Sequence, residues 1–242
     1  MRMIGSAMGG LLDCEIAPRY GLADQADKRQ RRRALGLALP LMLGVLALPV
    51  RAEEPVRIVA LGDSLVHGYG LEQGDGFVPQ LQAWLEMQGE AVTVINAGVS
   101  GDTSAGGQAR LAWSLGDGAD ALIVVLGGND LLRGFDPAAT EANLDSLVAQ
   151  ARALGLPVLL AGMRAPGNYG AEYKARFDGL YARIAERHGA LLYPYFLEGV
   201  DGDPTFWQDD AIHPNALGVD EIVARIGPLV RALIAQARAQ TG

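Results

Sequence analysis

The chain has 242 residues, half of them hydrophobic and a fifth charged, which suits one globular domain plus a short extra segment. Residues 53–242 carry 12 basic and 24 acidic side chains, a net of −12 within an overall −8, so phosphates would be repelled and nucleic acid is excluded as a partner. Cys14 is the single cysteine, which excludes both a disulfide framework and a Cys-based metal site.

The N-terminal part reads as a targeting segment. Residues 1–30 have no clear periodicity. Arg31-Arg32-Arg33 then precede an apolar run from Ala34 to Leu48, and Val50-Arg51-Ala52 place small residues at −3 and −1. That order describes a secretory signal peptide cleaved after Ala52, giving a periplasmic or secreted protein. The run is shorter than a membrane span needs and holds Gly36, Pro40 and Gly44. Residues 1–52 are therefore set apart as extension and signal, and 53–242 as the working domain.

From Glu53 short apolar runs alternate with helical stretches. Val56 to Leu61 is a β-branched run closed by Gly62, and it reads as a buried strand. A helix follows with Phe77, Leu81, Trp84 and Leu85 on one face. Ala91 to Asn96 is the second strand. A helix capped by Asp102 or Thr103 should run to about Ser114. Ala121 to Leu126 is a third strand of the kind buried on both faces. Asp136 with Pro137 opens a helix to Ala153. Pro157 to Ala161 is the fourth strand, 171–187 a helix with Phe177, Leu180, Tyr181 and Ile184 inward, and Leu191 to Tyr193 a weaker fifth strand. The last helix, with Val219, Ile222, Val223, Ile226, Val230 and Ile234 on one face, is expected to kink at Gly227-Pro228. This alternation implies an α/β fold: a flavodoxin-like three-layer sandwich with about five parallel strands and helices on both faces. Ligands in such folds bind beyond the carboxyl ends of the strands. Ser64, Gly101 and Asn129 each lie just past the end of a different strand.

Those residues have chemistry in common. Ser64 sits on a strand-to-helix turn, where a hydroxyl stands clear of the sheet and can act as a nucleophile. A serine nucleophile needs a base, and there are three histidines: His67, His188 and His213. Asp210 and His213 are three apart, so one turn of chain can set the carboxylate on Nδ1 and leave Nε2 for the serine. His67 stands in no Asp-x-x-His spacing, and His188 ends a helix. For a developing oxyanion, the Ser64 N–H is in place, Gly101 can bring a second N–H close, and Asn129 can offer its NH₂. Gly62-Asp63-Ser64-Leu65 differs from the Gly-x-Ser-x-Gly elbow of α/β-hydrolases.

Ser64, Gly101, Asn129 and His213, in this order and with Asp210 in Asp-x-x-His, resemble the four hallmark residues of the SGNH, or GDSL, hydrolase family. Asn96 to Thr103, Gly127 to Asp130, Met163 to Gly170 and Gln208 to Asn215 look like its bacterial periplasmic thioesterase I, lysophospholipase and arylesterase branch. The resemblance implies ester and thioester hydrolysis through an acyl-enzyme, with no cofactor and no metal. It also implies a mobile loop at 163–170 that lines the acyl site. Asp63, Leu65, Met163, Ala165, Pro166, Tyr169 and Ile212 are the substrate-binding residues it suggests. The expected partners are small acyl esters or thioesters, lipid substrates among them, met by a monomer. Rival readings are a carbohydrate acetylesterase or a peptidase with the same triad. From a different class comes a flavodoxin-like nucleotide-binding module, which the acidic charge and the lack of a Gly-Lys-Ser/Thr signature oppose.

Overall fold

The structure is a computed structural model, and it describes residues 54–116 and 118–241. The expected signal peptide and its cleavage site at Ala52 lie outside the described residues. Five strands form one sheet: β1 Val56–Gly62, β2 Val92–Gly98, β3 Ala121–Val125, β4 Val158–Ala161 and β5 Leu191–Tyr193. Their order is β2-β1-β3-β4-β5 and every neighbouring pair is parallel. This is the flavodoxin-like order, with its switch point at β1, where the chain leaves to opposite sides for β2 and β3. Among the described residues seven α-helices lie between strands and an eighth follows β5: α1 Ser64–His67, α2 Phe77–Met87, α3 Ser104–Ala109, α4 Leu111–Leu115, α5 Gly128–Leu132, α6 Pro137–Ala153, α7 Ala171–His188 and α8 Ala216–Thr241. The helix α2 packs with α8, and α6 packs with both α3 and α7, so the helices form two groups that sandwich the sheet.

The apolar periodicity explains these elements. All of β3 is buried, as a strand covered on both faces must be. On α2, Phe77, Val78, Leu81 and Leu85 are buried at helical spacing. Asp136 caps α6, its Oδ1 accepting from Ala138 N–H at 3.0 Å, and Pro137 takes the first turn, where its missing donor costs nothing.

Two expectations are modified. The helix expected from 103 to 114 is interrupted at Arg110, which has φ −102° and ψ 6°. Thr103 does cap its first part, its Oγ1 accepting from Gly106 N–H at 3.3 Å. Asp102 is used otherwise: it takes Arg110 Nε at 2.7 Å, and the same guanidinium donates to the Gly62 and Ala97 carbonyls at 2.8 Å each. Satisfying the ends of two strands bends the helix at that residue. The last helix continues from Ala216 to Thr241 with Pro228 inside it. Gly227 is explained by packing, since a Cβ there would lie 2.6 Å from Cζ3 of Trp84 on α2.

Register sets the height of the site. Gly62 pairs with both Gly98 and Val125, so β1, β2 and β3 end level. Gly98 lies against α1, and a Cβ on it would stand 2.2 Å from His67 N and 2.7 Å from His67 Cα, backbone that cannot rotate away. Gly98→Ala should therefore push α1 off the sheet and cost about 1–3 kcal/mol, as overpacking does. A thermal melt should show the midpoint lowered by about 2–4 °C per kcal/mol for a domain of this size. An unchanged midpoint would show that α1 is free to move.

Candidate active site

The nucleophile candidate is placed by a close approach. After Gly62 the chain turns into one turn of helix, α1, which stops at Gly68 in the left-handed region with φ 86°. A Cβ on Gly62 would sit 2.3 Å from Val66 Cγ2 and 2.8 Å from the Val125 carbonyl oxygen, so only glycine lets the turn fold this tightly on β3. Asp63 caps the turn, its Oδ1 accepting from Leu65 N–H at 3.0 Å. Ser64 is the first residue of α1 and faces the cavity above the sheet.

The candidate base and its partner come from one small hairpin. Trp207 and Pro214 form an antiparallel bridge, and Gln208 N–H donates to the His213 carbonyl at 2.9 Å. Within it Ala211 has φ 54°, alone among non-glycine residues in the described chain. That turn brings Ile212 N–H and His213 N–H onto Asp210 Oδ1 at 2.9 and 3.0 Å. Asp210 Oδ2 lies 2.6 Å from His213 Nδ1, and His213 Nε2 lies 2.9 Å from Ser64 Oγ. The bond from His213, followed by the two backbone N–H groups, holds the Asp210 carboxyl down at about 2. An ionised Asp210 keeps the proton of neutral His213 on Nδ1, which leaves the Nε2 lone pair facing the serine hydroxyl. The Tyr69 ring packs against the imidazole with centroids 4.7 Å apart.

The opposite wall offers donors. Gly101 has φ 82°, and its carbonyl is held by Arg133 Nη2 at 2.7 Å. Asn129 begins behind Gly127, whose φ is 106°, and its Nδ2 donates to Asp63 Oδ2 at 3.2 Å. A carboxylate can only accept, so this bond fixes the amide with its nitrogen toward Asp63 and one N–H to spare. Burial pushes the Asp63 carboxyl up to about 6, against the Leu65 and Asn129 bonds. Next to Asn129, Asp130 is 1% exposed and takes Ser104 N–H at 2.8 Å and Ser104 Oγ–H at 2.5 Å, which anchors α5 to α3.

A cavity of about 410 Å³ opens over these groups, and Ser64, Gly101, Asn129 and His213 all line it. Of the substrate-contact residues suggested by sequence, Asp63, Leu65, Met163 and Ile212 line it as well. Ala165, Pro166 and Tyr169 do not. Ala165 is turned inward, 2% exposed, with its N–H on Asp178 Oδ1 at 2.7 Å. Pro166 leads an exposed turn, and Tyr169 spends its hydroxyl on the Leu131 carbonyl at 2.8 Å and stacks on Tyr173. Sequence reasoning missed Tyr69, Tyr195 and Trp207, which line the cavity but stand in no motif, and it did not single out Arg164 within the 163–170 loop, which lines the cavity too. The other histidines are occupied away from Ser64. His67 Nδ1 lies 3.0 Å from Ser100 Oγ, and His188 Nε2 lies 2.8 Å from Asp145.

The GDSL-like Lipase/Acylhydrolase family model matches residues 60–220. Esterase TesA of Pseudomonas aeruginosa is 40% identical over 197 residues, which cover 80% of this chain and 98% of that protein. Thioesterase 1/protease 1/lysophospholipase L1 of Escherichia coli K12 is 38% identical over 178 residues, covering 73% and 84% respectively. The crystal structure of AlinE4, an SGNH-hydrolase family esterase, matches with a TM-score of 0.64 at 43% identity, over 75% of this chain and 98% of that one. The turn that presents Ser64, the level strand ends beside it and these relatives converge, and the chain belongs to the GDSL-like lipase/acylhydrolase family.

Proposed function

We propose that the chain hydrolyses carboxylic esters and thioesters through an acyl-enzyme formed on Ser64. The observation that carries the proposal is the continuous line from Asp210 Oδ2 to His213 Nδ1 at 2.6 Å and from His213 Nε2 to Ser64 Oγ at 2.9 Å. His213 takes the Ser64 proton as Ser64 Oγ attacks the acyl carbonyl, and ionised Asp210 stabilises the imidazolium that forms. Ser64 N–H, Gly101 N–H and Asn129 Nδ2–H receive the oxyanion. His213 then protonates the departing alcohol or thiol. A water molecule, deprotonated by the same imidazole, attacks the acyl-enzyme and restores Ser64. The acyl group lies along Leu65, Leu131, Leu132, Met163, Leu197 and Ile212 of the cavity wall, which suits small and lipid acyl substrates alike.

The three histidines test this assignment. His213→Ala should lose nearly all activity, as Ser64→Ala should, with the circular dichroism of both unchanged. His67→Ala and His188→Ala should each keep at least about a tenth of wild-type kcat/KM on an activated ester, within about 1.4 kcal/mol of barrier. If His67→Ala is inactive while His213→Ala is not, the assignment of the base is wrong.

A pH profile tests the Asn129 side of the site. His213 must be neutral to act as base, and Asp63 must be ionised to hold Asn129 as it stands. The Asp63 carboxyl, faced by His213 and Asp102, takes up its proton as the pH falls through about 6. As the pH falls through about 6 the wild-type log(kcat/KM) should fall more steeply than that of Asp63→Asn, by one proton in the slope. Equal slopes would remove Asp63 from the proton count.

We further propose that residues 53–242 are the exported, folded enzyme, on the strength of the basic, apolar and small-residue order before Glu53. Among the described residues no helix is long and apolar enough to cross a membrane. N-terminal sequencing of protein from the extracytoplasmic fraction should read from Glu53. An intact leader would instead make this an anchored enzyme.

A further inference from the structure

One cation of the cavity wall has no structural employment. Most Lys and Arg side chains of the described chain pair with a carboxylate. Arg164, which lines the cavity, pairs with none among the described residues. The acids of its neighbourhood are already engaged. Asp178 holds Lys174 Nζ at 2.7 Å and the Ala165 N–H, and Asp201 accepts from Tyr195 Oη at 2.8 Å. The contact that Arg164 does make leaves its donors open: Cζ stands 4.6 Å above the centroid of the Tyr195 ring, itself part of the cavity wall. Stacking on a ring face orients a guanidinium without using its N–H groups.

The backbone presents this side chain firmly. Arg164 is exposed between Met163 and Ala165, which are 4% and 2% exposed. Ala165 is clamped on both sides, its N–H by Asp178 and its carbonyl by Lys174 Nζ at 2.6 Å. The domain as a whole carries a net of −12 and repels anions at long range. An unpaired, oriented guanidinium beside the acyl site is therefore a local exception to the charge of the whole surface.

We propose that Arg164 is a specificity-determining residue that grips an oxyanion, phosphate or carboxylate, carried by the substrate next to its scissile acyl bond. The planar fork of donors fits either group in a bidentate way, which a lysine ammonium does not. This rests on the hydrolase reading above, and the experiment keeps the two apart.

Three esters with one short acyl group are compared: one with a neutral leaving alcohol, one with a carboxylate on that alcohol, one with a phosphate. For wild type, Arg164→Gln and Arg164→Lys, the quantity read is kcat/KM on each anionic ester divided by that on the neutral ester. General damage to the fold or to the chemistry cancels in this ratio. Turnover of the neutral ester by wild type tests the hydrolase reading, independently of Arg164. Arg164→Gln should lower the ratio at least about tenfold for one anionic ester, mainly through KM, and the arm with the greater loss names the group. Arg164→Lys should fall between the two. A second reading compares salt responses: because screening also relieves the repulsion by the acidic surface, the advantage of wild type over Arg164→Gln in this ratio, not the wild-type ratio alone, should shrink as the ionic strength is raised. A ratio that Arg164→Gln leaves unchanged in both anionic arms, or a wild-type advantage that salt does not diminish, overturns the proposal.

Discussion

The arrangement depends on Gly62 having no side chain. Val66 and the Val125 carbonyl occupy the space a Cβ would need, at 2.3 and 2.8 Å. The absence of that carbon lets the chain double back over the end of β3 and begin a helix at Ser64. The Gly62 carbonyl is used as well: it accepts Val99 N–H at 3.0 Å and Arg110 Nη2 at 2.8 Å. Through these bonds the end of β1 is tied to the loop that carries Gly101. A displacement of Ser64 and of Gly101, the proposed nucleophile and oxyanion donor, is thus resisted by the same few atoms.

Much of this was legible in the residues. The five strands stand where the short apolar runs lie, because a strand covered on both faces has to be apolar throughout. Ser64, Gly101, Asn129, Asp210 and His213 were legible because each sits in a short motif at a strand end or in one tight turn, and parallel topology delivers strand ends to one rim. What was not legible depends on partners far away in sequence. Arg110 interrupts its helix to reach a carbonyl 48 positions earlier, and no local propensity reports that. The loop 163–170 read as one lining segment, yet the Lys174 and Asp178 side chains of α7 turn Ala165 inward and leave Arg164 out. Tyr69 and Trp207 reach the cavity by tertiary placement alone.

Charge is distributed with the same economy. Two aspartates of the site have their carboxyls shifted in opposite directions by their surroundings. Asp210, near solvent and surrounded by donors, is kept at about 2, and Asp63, enclosed by the core, is raised to about 6. The first stays an ion well into acid; the second, where burial outweighs the Leu65 and Asn129 donors, takes up its proton as the pH falls through about 6. The surface as a whole is acidic, and the cavity wall departs from it at Arg164.

The hairpin bridged at Trp207 and Pro214 carries Asp210 and His213 together. Both bonds of Asp210 Oδ1, to Ile212 and His213, and the bond of Oδ2 to the imidazole lie inside that hairpin. Asp210 and His213 therefore form one preassembled unit, seated on the sheet domain by Gln208 Nε2 on the Tyr69 carbonyl at 2.8 Å and by the Tyr69 ring on the imidazole. Lifting the hairpin would break the His213–Ser64, Gln208–Tyr69 and Tyr69–imidazole contacts and leave the carboxylate–imidazole pair whole.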